Sequence, residues 1–216
     1  LLINEENQAI IKERFAPMQG EVVIQYFESS LDCPTCGEIK QLLEEVVHLS
    51  DLLSLEVTNF HIEQDKVKEL GIDRVPAFNI TDASRKNYGI HFYGAPSGYE
   101  FATLLEDILM VSQGESGLQD GTKESLAGLT QPVNLNVFVT PTCPYCPRAV
   151  RLAHQFAFES GLVQGAMVEA TEFPEWSNEF NVYGVPKTVI NDSDALSLEG
   201  AVPEPALLEK VLEAVR

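Results

Sequence analysis

The sequence predicts an α/β protein of two tandem units, each a βαβ segment followed by ββα with an extra helix in front. The result is central mixed sheets flanked by helices. Three observations carry this. Shifting the chain by 110 residues lays Cys33-Pro34-Thr35-Cys36 on Cys143-Pro144-Tyr145-Cys146. The same shift lays Val75-Pro76 on Val185-Pro186, so each second cysteine precedes a Val-Pro pair by 40 residues. Gly94-Ala95 matches Gly200-Ala201 with a shift of 106, a loop four residues shorter in the second half. Matches that keep their order mark an internal repeat.

The elements follow in the same order in both halves. A helix near Glu5–Phe15 opens the first half, and one near Lys123–Leu129 opens the second. Val22–Phe27 reads as a short buried strand, and Val133–Val139 alternates at period two. After the first cysteine pair, Ile39, Leu42, Leu43, Val46 and Val47 recur at helical spacing. After the second pair, Ala149, Val150, Leu152, Ala153, Phe156 and Ala157 do the same. Strands at Leu55–Phe60 and Ala166–Ala170 precede short helices at Asp65–Leu70 and Glu175–Phe180. Each Val-Pro leads into an apolar strand, Ala77–Ile80 or Lys187–Ile190. Tyr88–Tyr93 and Tyr99–Met110 close the first half; Leu196–Glu199 and Glu204–Val215 close the second. The polar connector Ser112–Gly117 places the boundary between units 1–113 and 114–216.

Composition narrows the function. In 216 residues, 33 acidic side chains face 14 basic ones, a net charge of −19. Such a polyanion repels phosphate backbones and anionic lipid, which argues against nucleic-acid and membrane partners. No apolar run approaches the roughly 20 residues that span a bilayer. Leu1-Leu2-Ile3 gives way at once to Asn4-Glu5-Glu6, too short for the apolar region of a leader. The expected compartment is the cytoplasm. All four cysteines lie in the two pairs. Four-cysteine zinc sites commonly put about 15–20 residues between pairs, whereas Cys36 and Cys143 are 107 apart. No metal and no organic cofactor is expected.

Both pairs sit where a strand hands over to a helix. A cysteine there faces unpaired backbone N–H groups and the positive end of the helix dipole. Both favour the thiolate, the nucleophile of disulfide exchange, so Cys33 and Cys143 are expected below the free thiol value of ~8.5. One turn on, Cys36 and Cys146 are placed to resolve a mixed disulfide. Pro34 and Pro144 suit the first helical position, which needs no N–H donor.

The stretch Val137–Val150, with Glu172-Phe-Pro-Glu-Trp176, Gly184-Val-Pro-Lys187 and Tyr88–Phe101, resembles the protein disulfide oxidoreductases of thermophilic archaea and bacteria. The resemblance covers nearly the whole chain. It implies two thioredoxin-like units whose sheets join into one, and exchange of disulfides with protein substrates: reduction, with oxidation or isomerisation in some members. It gives Cys33 and Cys143 the attacking role, and Cys36 and Cys146 the resolving role. Pro76 and Pro186 become cis prolines that, with Val75 and Val185, meet an extended substrate segment by strand addition. An NADPH-dependent thioredoxin reductase-like flavoprotein is the implied electron source and a peroxiredoxin an implied recipient. Two alternatives stand beside this reading. One is a dedicated electron shuttle similar to the N-terminal region of alkyl hydroperoxide reductase flavoproteins; the other is a metal or iron–sulfur binding module.

The halves also differ. The dipeptides are Pro-Thr and Pro-Tyr, and Asp32 beside Cys33 opposes a thiolate where Thr142 does not. Cys143/Cys146 is therefore expected to be the more reactive pair. Where thioredoxin keeps a buried aspartate, six residues before the first cysteine, this chain has Phe27 and Val137. Glu169 is read as a solvated or salt-bridged strand residue. His48, His61, His91 and His154 are read as surface or core-edge residues. Trp176, Phe92, Tyr93 and Phe101 are read as packing, and Tyr145 as exposed.

Overall fold

A computed structural model describes residues 1–216. The first half runs α1 (Glu5–Phe15), β1 (Val22–Glu28), α2 (Cys36–Val47), β2 (Leu53–Asn59), α3 (Gln64–Glu69), β3 (Ala77–Asp82), β4 (Ile90–Tyr93) and α4 (Glu100–Gln113). The second repeats the order as α5 (Asp120–Ala127), β5 (Val133–Val139), α6 (Cys146–Glu159), β6 (Val163–Glu169), α7 (Pro174–Glu179), β7 (Lys187–Ile190), β8 (Ser193–Glu199) and α8 (Glu204–Ala214).

All eight strands form one mixed sheet in the order β2-β1-β3-β4-β6-β5-β7-β8. The halves join where β4 pairs in parallel with β6, Ile90 opposite Gly165 and Tyr93 opposite Val168. Successive strand residues serve opposite faces. Leu135, Val137 and Val139 point into the larger apolar core with Ile24 and Tyr26. Phe27 and Phe138 point into the smaller one. The larger core packs beneath α1, α2, α4, α5, α6 and α8, to which Ile11, Ile39, Leu104, Leu126, Phe156 and Leu207 belong. The smaller sits beneath α3 and α7, through Val67 and Trp176.

Three strands begin earlier than the sequence pattern indicates, β2 at Leu53, β6 at Val163 and β8 at Ser193. Each start is hidden by polar or small residues. Ser54 and Asp194 are exposed on edge strands, and Gln164-Gly165 interrupts the apolar run of β6.

A polar clamp fastens α4 to α6. Asp107, fully buried, accepts from Arg151 Nη1 and lies 2.6 Å from His154 Nδ1, while His154 Nε2 faces the His91 carbonyl at 3.1 Å. His154 and His91 are thus interior residues, against the surface or core-edge reading. His91 Nδ1 lies 2.6 Å from Asn79 Oδ1, and burial first, then His154, lowers its pKa to about 4. The hidden partner Asp107 lies 47 residues from His154, so no local spacing announces the pair.

Candidate active site

Sheet direction places the two cysteine pairs together. β3 runs antiparallel to both β1 and β4, so β4 runs with β1; β4, β6 and β5 are mutually parallel. The C-terminal ends of β1 and β5 therefore lie on one edge of the sheet. Four strand spacings separate them, about 19 Å at ~4.8 Å each.

Both pairs are closed as disulfides, with Cα atoms 5.4 Å apart at Cys33–Cys36 and 5.5 Å at Cys143–Cys146. α2 and α6 begin at Cys36 and Cys146, so Cys33 and Cys143 occupy the turn before the helix rather than its first turn. Pro34 and Pro144 lie in that turn too, and it is Pro147 that takes an N-terminal helical position. At the second site the Cys146 N–H points at Cys143 Sγ, 3.1 Å away. At the first, the Cys36 N–H meets the Cys33 carbonyl at 3.3 Å. Cys143 is buried, whereas Cys33 is half-buried.

The Val75–Pro76 and Val185–Pro186 bonds are both cis. In each, the proline is buried and the valine half-buried. Pro76 O accepts from Gly94 N at 3.0 Å and Pro186 O from Gly200 N at 2.8 Å, tying each Val-Pro to the glycine loop that follows the next strand.

Each site borrows from the other half. The loop after β4 reaches the second site: Tyr99 N donates to Pro141 O at 3.1 Å, two residues before Cys143. Gly98 has φ +60°, and a Cβ there would overlap that same carbonyl oxygen, so only glycine permits the approach. Next to this contact, Glu100 is buried and takes a bond from Thr103 Oγ1 at 2.7 Å, but its Oε1 has no partner. Burial is the main cause that pushes its pKa up to about 7.

From the second half, Glu172 reaches the first site and accepts from Thr35 Oγ1 and from Ala95 N, each at 2.6 Å. Glu169 is neither solvated nor salt-bridged. It is buried and accepts from Thr171 Oγ1 at 2.6 Å and Glu172 N at 2.8 Å, bracing the turn that carries Glu172. A cleft of about 890 Å³ opens beside Thr35, lined by Ile3, Ile10, Ile39, Tyr99 and Glu172 among others. Tyr145 is 66% exposed, whereas Trp176, Phe92 and Tyr93 are buried. No sequence pattern gives Glu100, Glu172 or Asp107 a role; a lone acid among 33 carries no local signal.

Two cysteine pairs, each closed before a helix in a chain that repeats a strand–helix order with a buried cis proline, define a thioredoxin-fold dithiol–disulfide oxidoreductase. Residues 133–213 match the thioredoxin domain family model. The crystal structure of a protein disulfide oxidoreductase from Aeropyrum pernix superposes with a TM-score of 0.92 at 32% identity, over 100% of this chain and 94% of that one. The chain belongs to the protein disulfide oxidoreductase family. It is also similar in fold to the N-terminal domain of alkylhydroperoxide reductase AhpF from Enterococcus faecalis, with TM-score 0.89 and 24% identity over 96% and 99% of the two chains. An alkyl hydroperoxide reductase protein from Staphylococcus epidermidis is 24% identical over 193 residues, 89% of this chain. The chain spans about a third (35%) of the length of that relative. The protein is a thiol–disulfide oxidoreductase. No helix is long and apolar enough to cross a membrane.

Proposed function

We propose that the protein reduces disulfides in other proteins through two unequal sites, with Cys143/Cys146 the principal pair. The observation that carries this is the Cys146 N–H directed at Cys143 Sγ at 3.1 Å, which favours negative charge on that sulfur. The Cys143 thiolate attacks one sulfur of a substrate disulfide, forming a mixed disulfide and expelling the other as thiolate. Cys146, on losing its proton, attacks Cys143 Sγ and releases the second substrate thiol. Two electrons have passed to the substrate, and the protein ends as the Cys143–Cys146 disulfide. Cys33 and Cys36 take the same roles at the first site. Val75, Pro76, Val185 and Pro186 offer backbone to the substrate segment around its cysteine. We divide the chain into units 1–113 and 114–216, a boundary that coincides with the end of α4 at Gln113.

The dithiols are restored by a flavoprotein reductase drawing on NADPH, and a peroxiredoxin is a recipient. Likeness to the AhpF N-terminal domain supports both partners. Dependence on NADPH fits the cytoplasm as its compartment. The test is reduction of insulin by dithiothreitol. The Cys33→Ser/Cys143→Ser protein is expected to lose all catalysis, and unchanged turnover overturns the reading.

A further inference from the structure

Glu172 lies three residues beyond β6, yet its carboxylate belongs spatially to the first cysteine pair. Oε2 accepts a hydrogen bond from the hydroxyl of Thr35, the residue between Pro34 and Cys36, and Oε1 accepts one from the N–H of Ala95. The position is built. Gly94 has φ +92°, and a Cβ there would fall 2.9 Å from Glu172 Oε1 and 2.8 Å from Glu169 Cβ. The arrangement is also one-sided. The 110-residue repeat pairs Glu172 with Ile62, which is 79% exposed, and Thr35 with the exposed Tyr145. The charge reaches into the site: Tyr26, whose hydroxyl donates to Cys36 O at 2.8 Å, has its pKa raised by burial, then by Glu28 and Glu172.

We propose that Glu172 is a positioning residue for the first redox pair: it holds Thr35, between the two cysteines, and the negative charge it brings to that dipeptide disfavours the Cys33 thiolate, making Cys33–Cys36 the more reducing pair. This rests on reading Cys33 as the attacking thiol. A charge that disfavours the thiolate destabilises the dithiol form relative to the disulfide, and a pair whose reduced form is less stable is the stronger reductant. Other charged groups around the site are Asp32 in the preceding loop, Glu38 and Lys40 on α2, Glu28 at the end of β1 and Glu169 on β6. Glu28 is already paired with Lys40 at 3.0 Å, and Arg14 on α1 with Glu106. Glu172 alone accepts from the dipeptide between the cysteines.

The test uses the full chain with Cys143→Ser and Cys146→Ser, so that only the first pair reports. The pH profile of Cys33 alkylation is compared with and without Glu172→Gln, with the exposed Glu175→Gln as control. Glu172→Gln is expected to raise the thiolate fraction below the midpoint about tenfold. At a pH above both midpoints, the equilibrium with glutathione should shift toward the dithiol by about tenfold, or ~30 mV. Thr35→Val, which removes the hydroxyl but leaves the carboxylate, should give a smaller shift in the same direction. Profiles and equilibria identical in the Glu172→Gln protein and its background overturn the proposal. A shift on Glu172→Gln in a background that reduces no protein disulfide refutes the reading of Cys33 as the attacking thiol instead.

Discussion

Glu100 offers a test of the interior electrostatics that a single substitution can read. The carboxyl is buried next to the Tyr99–Pro141 contact, with Oε1 unpartnered and Asp107 adding negative charge. Burial, chiefly, raises its pKa from 4.5 to about 7 in the folded protein. Between those values the folded state holds a proton that the unfolded chain has released. Its contribution to stability is thus complete below pH 4.5 and is lost as pH rises toward 7. A shift of this size is worth about 3 kcal/mol at 1.36 kcal/mol per pH unit. Glu100→Gln keeps an acceptor for Thr103 and cannot ionise. The constant cost of its unpartnered amide does not matter, because the readout is a difference in pH dependence. Urea unfolding of both proteins with disulfides intact, at pH 4 and pH 8, should show the variant gaining about 3 kcal/mol relative to wild type over that range. His91 works in the opposite sense. Its pKa, lowered to about 4, costs stability as pH falls from 6.5 toward 4. In wild type the two slopes oppose each other between pH 4.5 and 6.5, and Glu100→Gln should expose the His91 slope alone. A stability difference between the two proteins that is flat from pH 4 to 8 refutes the buried, proton-holding carboxyl.

Further outcomes follow from the same contacts. Asp107→Ala leaves Arg151 and His154 without their buried acceptor and should cost about 3–5 kcal/mol in urea unfolding; a loss under 1 kcal/mol would mean the clamp is incidental. Gly98→Ala puts a methyl against Pro141 O at a positive φ, so it should lower stability by about 1–3 kcal/mol and slow insulin reduction more in a Cys33→Ser background than in a Cys143→Ser one. Tyr145→Ala removes an exposed ring and should change stability by less than ~0.5 kcal/mol while raising the KM for a protein disulfide, measured with reduced enzyme in single turnover.

What could be read from sequence was what repeats. The strand-to-helix setting of both cysteine pairs, the Val-Pro pairs and the order of elements all follow from local spacing, and the elements follow one another along the chain in that order. What could not be read depends on contacts between halves. Glu172 meets Thr35 across 137 residues and Asp107 meets Arg151 across 44, and periodicity says nothing about such pairs. Glu169 misled for the same reason. Alone on a strand it looks like a solvent-facing acid, but the turn it braces closes over it through Thr171 and Glu172. The start of β8 at Ser193 and the Gln164-Gly165 break after the start of β6 at Val163 escape the pattern because edge pairing, and the close approach of α6 at Ala153, replace apolar side chains as the cause of order.

The parallel β4–β6 pair has a consequence that reaches both sites. An antiparallel joint would have sent the ends of β1 and β5 to opposite edges of the sheet and left each cysteine pair served by its own half. The parallel joint puts both at one edge, so loops of each half fall beside the cysteines of the other. The first half lends the second site the Gly98–Tyr99 contact with Pro141; the second half lends the first site Glu172. Because the loans differ in chemistry, a backbone contact in one direction and a carboxylate in the other, two copies of one ancestral pattern face unlike surroundings. Unequal sites are then a property of the joint as much as of the dipeptides Pro-Thr and Pro-Tyr. Exchanging the dipeptides between sites should therefore carry over only part of the difference in potential, because Glu172 and Pro141 stay where they are.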